Sequence, residues 1–108
     1  MSEIPAGTLD LLVLKTLHTL GPLHGYGIAR RLEQMAEGTM RLSQGSIYPA
    51  LIRLEQRGWI AAKWGLSETS RRVKVYTLTK SGSKRLDLEA AQWAQSAALV
   101  ARVLEAKA

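Results

Sequence analysis

The stretch LSQGSIYPALIRLEQRGWI, residues 42–60, sets the architecture of the whole chain. Ile47, Ala50, Leu51 and Leu54 recur at helical spacing and form a narrow apolar stripe that must meet a core. At about 100° per residue, Tyr48, Pro49, Ile52, Arg53 and Gln56 project the other way. Tyr48 and Ile52 are odd choices for a face that meets only water. Ser46 is expected to cap the helix, with Pro49 in the first turn, where its missing N–H costs little. Gly58 ends it, and a β-prone segment follows at once. The expectation is a short helix that shows one face to something outside its own chain.

Charge indicates what that something is. The 108 residues carry a net +6. Between Arg41 and Arg85 lie ten of the fifteen basic residues and only two acids, Glu55 and Glu68, so this segment is +8 and the rest of the chain is −2. Concentrated positive charge suits a polyanion, although a solvated basic surface without a partner fits the same count. With the framed helix, the charge points to duplex DNA and a recognition helix. An apolar fraction of 46% is ample for a core in one compact domain. There is no cysteine, which excludes disulfides, thiolate metal sites and thiol catalysis. The longest apolar run, Leu9 to Leu20, is too short to span a membrane and carries Asp10, Lys15 and His18. No basic leader precedes an apolar segment, so the expected location is the cytoplasm.

Working outward, Thr8 is expected to cap a central helix running to Leu20, with Asp10 in its first turn and Gly21-Pro22 as its stop. A second helix is expected from Gly25 to Ala36, with Ile28, Leu32, Met35 and Ala36 inward, and a loop from Glu37 to Gly45. Trp59 to Trp64 and Arg72 to Leu78 read as a hairpin. In its second strand Val73 and Val75 alternate with Arg72, Lys74 and Tyr76, giving one apolar face and one basic, aromatic face. Thr79 is expected to cap a helix that continues to the C-terminus. Three helices and a basic ribbon in this order are a mainly α fold with a small β-hairpin. This is a winged helix-turn-helix over 1–78, followed by a C-terminal dimerisation helix over 79–108.

Candidate DNA contacts follow. Gln44 can read adenine with two hydrogen bonds, although a local loop role fits it equally, as a capping role does Ser46. Tyr48 suits a phosphate oxygen and Ile52 a thymine methyl, or both pack against the wing. Pro49 and Arg53 share that helix face. Arg71, Arg72 and Lys74 sit at the wing tip, where phosphate contact competes with an ordinary solvated hairpin. Lys80, Lys84 and Arg85 oppose the dipole of the last helix at its N-terminus, a conflict that an external anion would resolve.

In that last helix Leu86, Ala90, Trp93, Ala97, Val100 and Leu104 alternate at spacings of four and three, a heptad seam widened by Leu99 and Val103. A second copy of the chain is the simplest partner. Trp93 is either dimer core or the wall of a pocket for a small aromatic effector. His18, read as partly buried, and His24, read as helix-opening or DNA-facing, make no metal site. No cofactor motif or catalytic constellation is present, and an enzyme is not expected.

The chain resembles the PadR family of bacterial transcriptional regulators from Leu9 to about Leu104. The resemblance rests on LDLLVLKTL, GPLHGYGI, GSIYPALIRLEQRGWI and SETSRRVKVYTLTKSGSKRL, in that order. It implies a winged-helix homodimer whose last helix pairs subunits, usually repressing transcription on operator DNA. It also places Tyr48, Arg71, Arg72 and Lys74 on the DNA side. Some relatives release DNA on binding aromatic or drug-like compounds between subunits. The chain looks like the shorter of the family's size classes, and Gly27 departs from the Glu that many members carry. Two rival functions are a winged-helix protein-interaction module and a small-molecule binding protein built on the dimer pocket; the +8 segment argues against both.

Overall fold

The computed structural model describes residues 2–42 and 44–107. In chain order the elements are Ser2–Glu3 (β1), Ala6–Leu20 (α1), Leu23–His24 (β2), Gly25–Ala36 (α2), Met40–Arg41 (β3), Gln44–Gln56 (α3), Ile60–Leu66 (β4), Arg72–Leu78 (β5) and Lys80–Glu105 (α4). The fold is mainly helical, with a three-stranded antiparallel sheet in the order β2-β5-β4, a separate two-residue parallel ladder of β1 on β3, and a long C-terminal helix.

The core forms around α1, whose Leu9, Val13, Leu14 and Leu17 are buried and which packs on α2, α3, α4 and β5. This helix opens differently from expectation. The Pro5 carbonyl accepts the Leu9 N–H at 2.8 Å, so the helix begins at Ala6, ahead of Thr8, and Asp10 leaves the first turn. His18 is exposed rather than partly buried, in the last turn of the helix, where residues 18–20 are all exposed.

Helix α2 has the expected bounds, and His24 caps it by accepting the Gly27 N–H on Nδ1 at 3.1 Å. Ile28, Ala29 and Leu32 are buried. Met35 is exposed and Ala36 only half-buried, since the last turn overhangs the core before Glu37 reverses the chain at φ 51°.

Helix α3 starts at Gln44, earlier than a Ser46 cap would allow, so Ser46 lies inside its first turn and Pro49 inside the helix. Proline cannot donate there, which removes the hydrogen bond that residue 49 would give the carbonyl of exposed Gly45. The core stripe is as expected: Ile47, Ala50, Leu51 and Leu54 are fully buried.

Strand β4 begins at Ile60 and runs on to Leu66, two residues past Trp64. Ile60 faces Leu78, Ala62 faces Tyr76, Trp64 faces Lys74 and Leu66 faces Arg72. At the tip the Ser67 N–H donates to the Arg71 carbonyl at 2.8 Å and the Ser70 N–H to the Ser67 carbonyl at 2.9 Å. Ser70 closes the turn at φ 62°, a conformation that favours glycine.

Thr79 caps α4 as expected, accepting the Gly82 N–H at 3.0 Å while donating its hydroxyl to the Gly58 carbonyl at 2.7 Å. Gly82 is required for this docking, because a Cβ there would overlap the Trp59 carbonyl oxygen.

Candidate nucleic-acid interface

The α3 face opposite its buried stripe carries Tyr48, 48% exposed, and Ile52, 56% exposed, with Pro49 between them. Ser46 is half-buried in the first turn, and the Gln44 side chain lies outside the described set. The start of α2 lies close beside Tyr48: a Cβ at Gly25 would stand 3.2 Å from Leu51 Cδ1 and 3.5 Å from Tyr48 Cε1. Glycine here lets the two helices approach and holds the phenol from behind.

Arg53 is turned back onto the protein. Its Nε donates to Asp10 Oδ2 at 3.2 Å and its Nη2 to Oδ1 at 2.5 Å, a bidentate pair that joins α3 to α1. The carboxylate hydrogen bonds hold the Arg53 guanidinium above its ordinary pKa, outweighing the opposite effect of desolvation. With its charge partly neutralised and two of its N–H groups donated to an internal carboxylate, this guanidinium attracts an external anion less than a free arginine would.

The wing divides into two faces. One carries Ile60, Ala62, Trp64 and Leu66 from β4 with Leu78, Tyr76, Lys74 and Arg72 from β5, as the register requires. At the base this face is core. Tyr76 is buried rather than part of an exposed aromatic face, because it lies one register step inside the level where the hairpin leaves the body. Burial pushes its phenol above the ordinary pKa, and the nearby Glu55 charge adds to the rise. Toward the tip the same face emerges into solvent. Lys74 Nζ stands 3.8 Å from Glu55 Oε1 on α3, which sets this side of the wing against that helix. Arg72 lies over the Trp64 ring at 4.5 Å. Trp64, 60% exposed, and Leu66, 71% exposed, complete the surface.

Arg71 belongs to the opposite side. With Val73 and Glu68 it lines a cleft of about 580 Å³, closed on the far wall by His24, Tyr26 and Arg30. Arg30 Nη1 lies 3.5 Å from the Tyr26 hydroxyl, and the Tyr26 ring stacks on His24. Two guanidiniums in one open cleft can hold an anion. Sequence reasoning missed Tyr26, Arg30 and Trp64. The first two had a signal, an exposed i, i+4 pair on α2, whereas Trp64 was assigned to a strand without a face.

Helix α4 is half in the core and half outside it. Leu86 is 5% exposed and packs within the chain's own core, which removes it from the seam to which the heptad spacing assigned it. Past Glu89 the helix has little cover. Ala90, Trp93, Val100 and Leu104 are exposed and Ala97 is half-buried. The flanking Leu99 and Val103 are exposed as well. At its N-terminal end Arg85 is likewise used internally, donating to Glu89 at 2.8 Å and lying over Trp59 at 4.9 Å, while Lys80 and Lys84 stay exposed.

The model of the transcriptional regulator PadR-like family matches residues 13–88. The chain belongs to that family. Among solved structures, a PadR family transcriptional regulator from Eggerthella lenta is 31% identical, with a TM-score of 0.78 over 94% of this chain and 85% of that one. A PadR-like transcriptional regulator from Bacillus cereus is 25% identical, with a TM-score of 0.78 over 94% and 95%. An uncharacterised 37.1 kDa protein in a transposon of Streptomyces fradiae is 38% identical over 85 residues, which are 79% of this chain and 22% of that protein. The chain thus spans about a fifth of the curated relative it matches. The match places the chain in a family of transcriptional regulators. Its fold is the winged helix of the PadR-like structures. Among the described residues no helix is long and apolar enough to cross a membrane.

Proposed function

We propose that this PadR-like chain is a cytoplasmic repressor that acts as a homodimer on an inverted-repeat operator. In this reading each subunit lays α3 in a major groove, with Tyr48, Pro49, Ile52, Ser46 and Gln44 toward the DNA and the wing cations Arg71, Arg72 and Lys74 on the flanking phosphates. The observation that carries it is the two-faced α3: four fully buried apolar residues on one side, exposed Tyr48 and Ile52 on the other, and a basic wing tied to the same helix through Lys74 and Glu55.

Dimerisation is supported by α4, whose outer half presents Ala90, Trp93, Ala97, Val100 and Leu104 with little cover from its own chain. A twofold dimer favours half-site centres about 10–10.5 bp apart, or a multiple of that. The same seam offers a flat aromatic effector a place beside Trp93, flanked by small alanines, and its binding would release the operator.

Selection of binding sites from random duplexes, with sedimentation of the free protein, tests the proposal. The expected result is an enriched inverted repeat bound by two chains. A strictly monomeric protein, or one that ignores duplexes at low salt, would overturn it. Titration of aromatic compounds into the complex tests release.

A further inference from the structure

The exposed apolar ridge on the wing has no role in a purely electrostatic grip. Trp64 and Leu66 continue the row that begins with buried Ile60 and half-buried Ala62, so they leave the core on the side of the hairpin that faces α3. Folding does not require them: both stand out beyond the level where Tyr76 marks the end of the core. The Arg72 guanidinium stacked on the Trp64 ring keeps the indole in place, and the hydrogen-bonded turn from Ser67 to Arg71 holds the tip to one shape. Arg72 and Lys74 flank the ridge on its own face. Glu68 lines the cleft on the Val73 side, and Glu55 reaches this face only at Lys74, 3.8 Å away.

We infer that Leu66 and Trp64 form a minor-groove wedge that deforms the DNA beside the recognition helix. The inference rests on the DNA-binding reading and adds to it a source of specificity. A minor groove offers apolar sugar walls between two rails of phosphate, which is the chemical complement of an apolar ridge flanked by cations. An apolar protein surface would have to desolvate the Arg72 guanidinium without supplying an anion. Apolar side chains pressed between base steps partly unstack them and bend the duplex, and flexible steps such as TA or CA yield most easily. The wing would therefore select flanking sequence by its deformability, without hydrogen bonds to base edges.

The test compares the full chain with Leu66→Ser and Trp64→Ala on a duplex that the unaltered protein selects, with donor and acceptor dyes on the duplex ends. The unaltered protein should bend the duplex by roughly 20° or more. Leu66→Ser should lose most of the bend and about tenfold in affinity, and should lose the preference for a flexible over a stiff flank. Its salt slope should not change, because no charge is removed. Circular dichroism of the variant should match the parent, since Leu66 is exposed. If the parent binds the duplex and both variants bind and bend it equally, the wedge is overturned while DNA binding stands. If the parent binds no duplex, the underlying reading fails instead. If only the parent self-associates beyond a dimer in sedimentation, the ridge is a contact between copies and the wedge is likewise overturned.

Discussion

Arg53 and Arg72 are both arginines on the basic segment, yet the structure gives them opposite fates. Replacing each by methionine, which keeps an unbranched stem, separates them. Arg72 faces solvent at the wing tip, and in a dimer its loss removes one phosphate contact per subunit. At about 0.9 released counterions per phosphate, the slope of log affinity against log salt should fall by about 1.8. Between 50 and 200 mM salt, that changes the affinity ratio by roughly 12-fold relative to the parent. In Arg72→Met the new thioether side chain can still cover Trp64, so the wing itself should hold. Arg53→Met should leave the slope unchanged, because its guanidinium already serves Asp10. Its cost appears in stability instead. Asp10, with its side chain only 17% exposed, would be left without its bidentate partner, at about 1–2 kcal/mol. For a domain of this size that lowers the melting temperature by roughly 5–10 °C. Fluorescence anisotropy on a labelled operator at several salt concentrations, with a thermal melt of each variant, reads both quantities. Equal slope losses for Arg53→Met and Arg72→Met would contradict this division of roles, as would an Arg53→Met protein as stable as the parent.

Other outcomes follow from single contacts. Gly82→Ala should destabilise by about 2–4 kcal/mol in urea unfolding, because the new methyl meets the backbone at Trp59 and the Leu78 side chain and α4 must shift; an unchanged midpoint would argue against that packing. Ser70→Gly should stabilise by roughly 0.5–1 kcal/mol by relieving the left-handed wing turn, read from the same unfolding curves. Trp93→Ala should weaken dimerisation in sedimentation while leaving the monomer's circular dichroism intact, since Trp93 is 55% exposed in the single chain.

What was legible in the sequence was what depends on near neighbours. The stripe Ile47, Ala50, Leu51 and Leu54 is a property of the helical period, and all four residues are fully buried. The Thr79 cap needs only a hydroxyl three residues before an N–H, and that bond forms at 3.0 Å. The hairpin and the long last helix followed from alternation and uninterrupted helical spacing. Strands β1, β2 and β3 were not legible, because two residues carry no alternation and their pairing exists only once distant segments meet.

Side-chain fates set by distant partners were equally hidden. Arg53 finds Asp10 across 43 residues, and no local pattern distinguishes it from Arg72. Leu86 fits a heptad seam as well as Trp93 does; where α4 leaves the body, near Glu89, makes one core and the other surface. Tyr76 and Trp64 share a hairpin face, yet one lies under the body and the other beyond its edge. Periodicity, capping and composition were therefore enough for the four helices, the hairpin, their order and the basic character of the segment from Arg41 to Arg85. Which cations stay free and which apolar residues stay exposed emerged only on folding, because both depend on where the packed body ends.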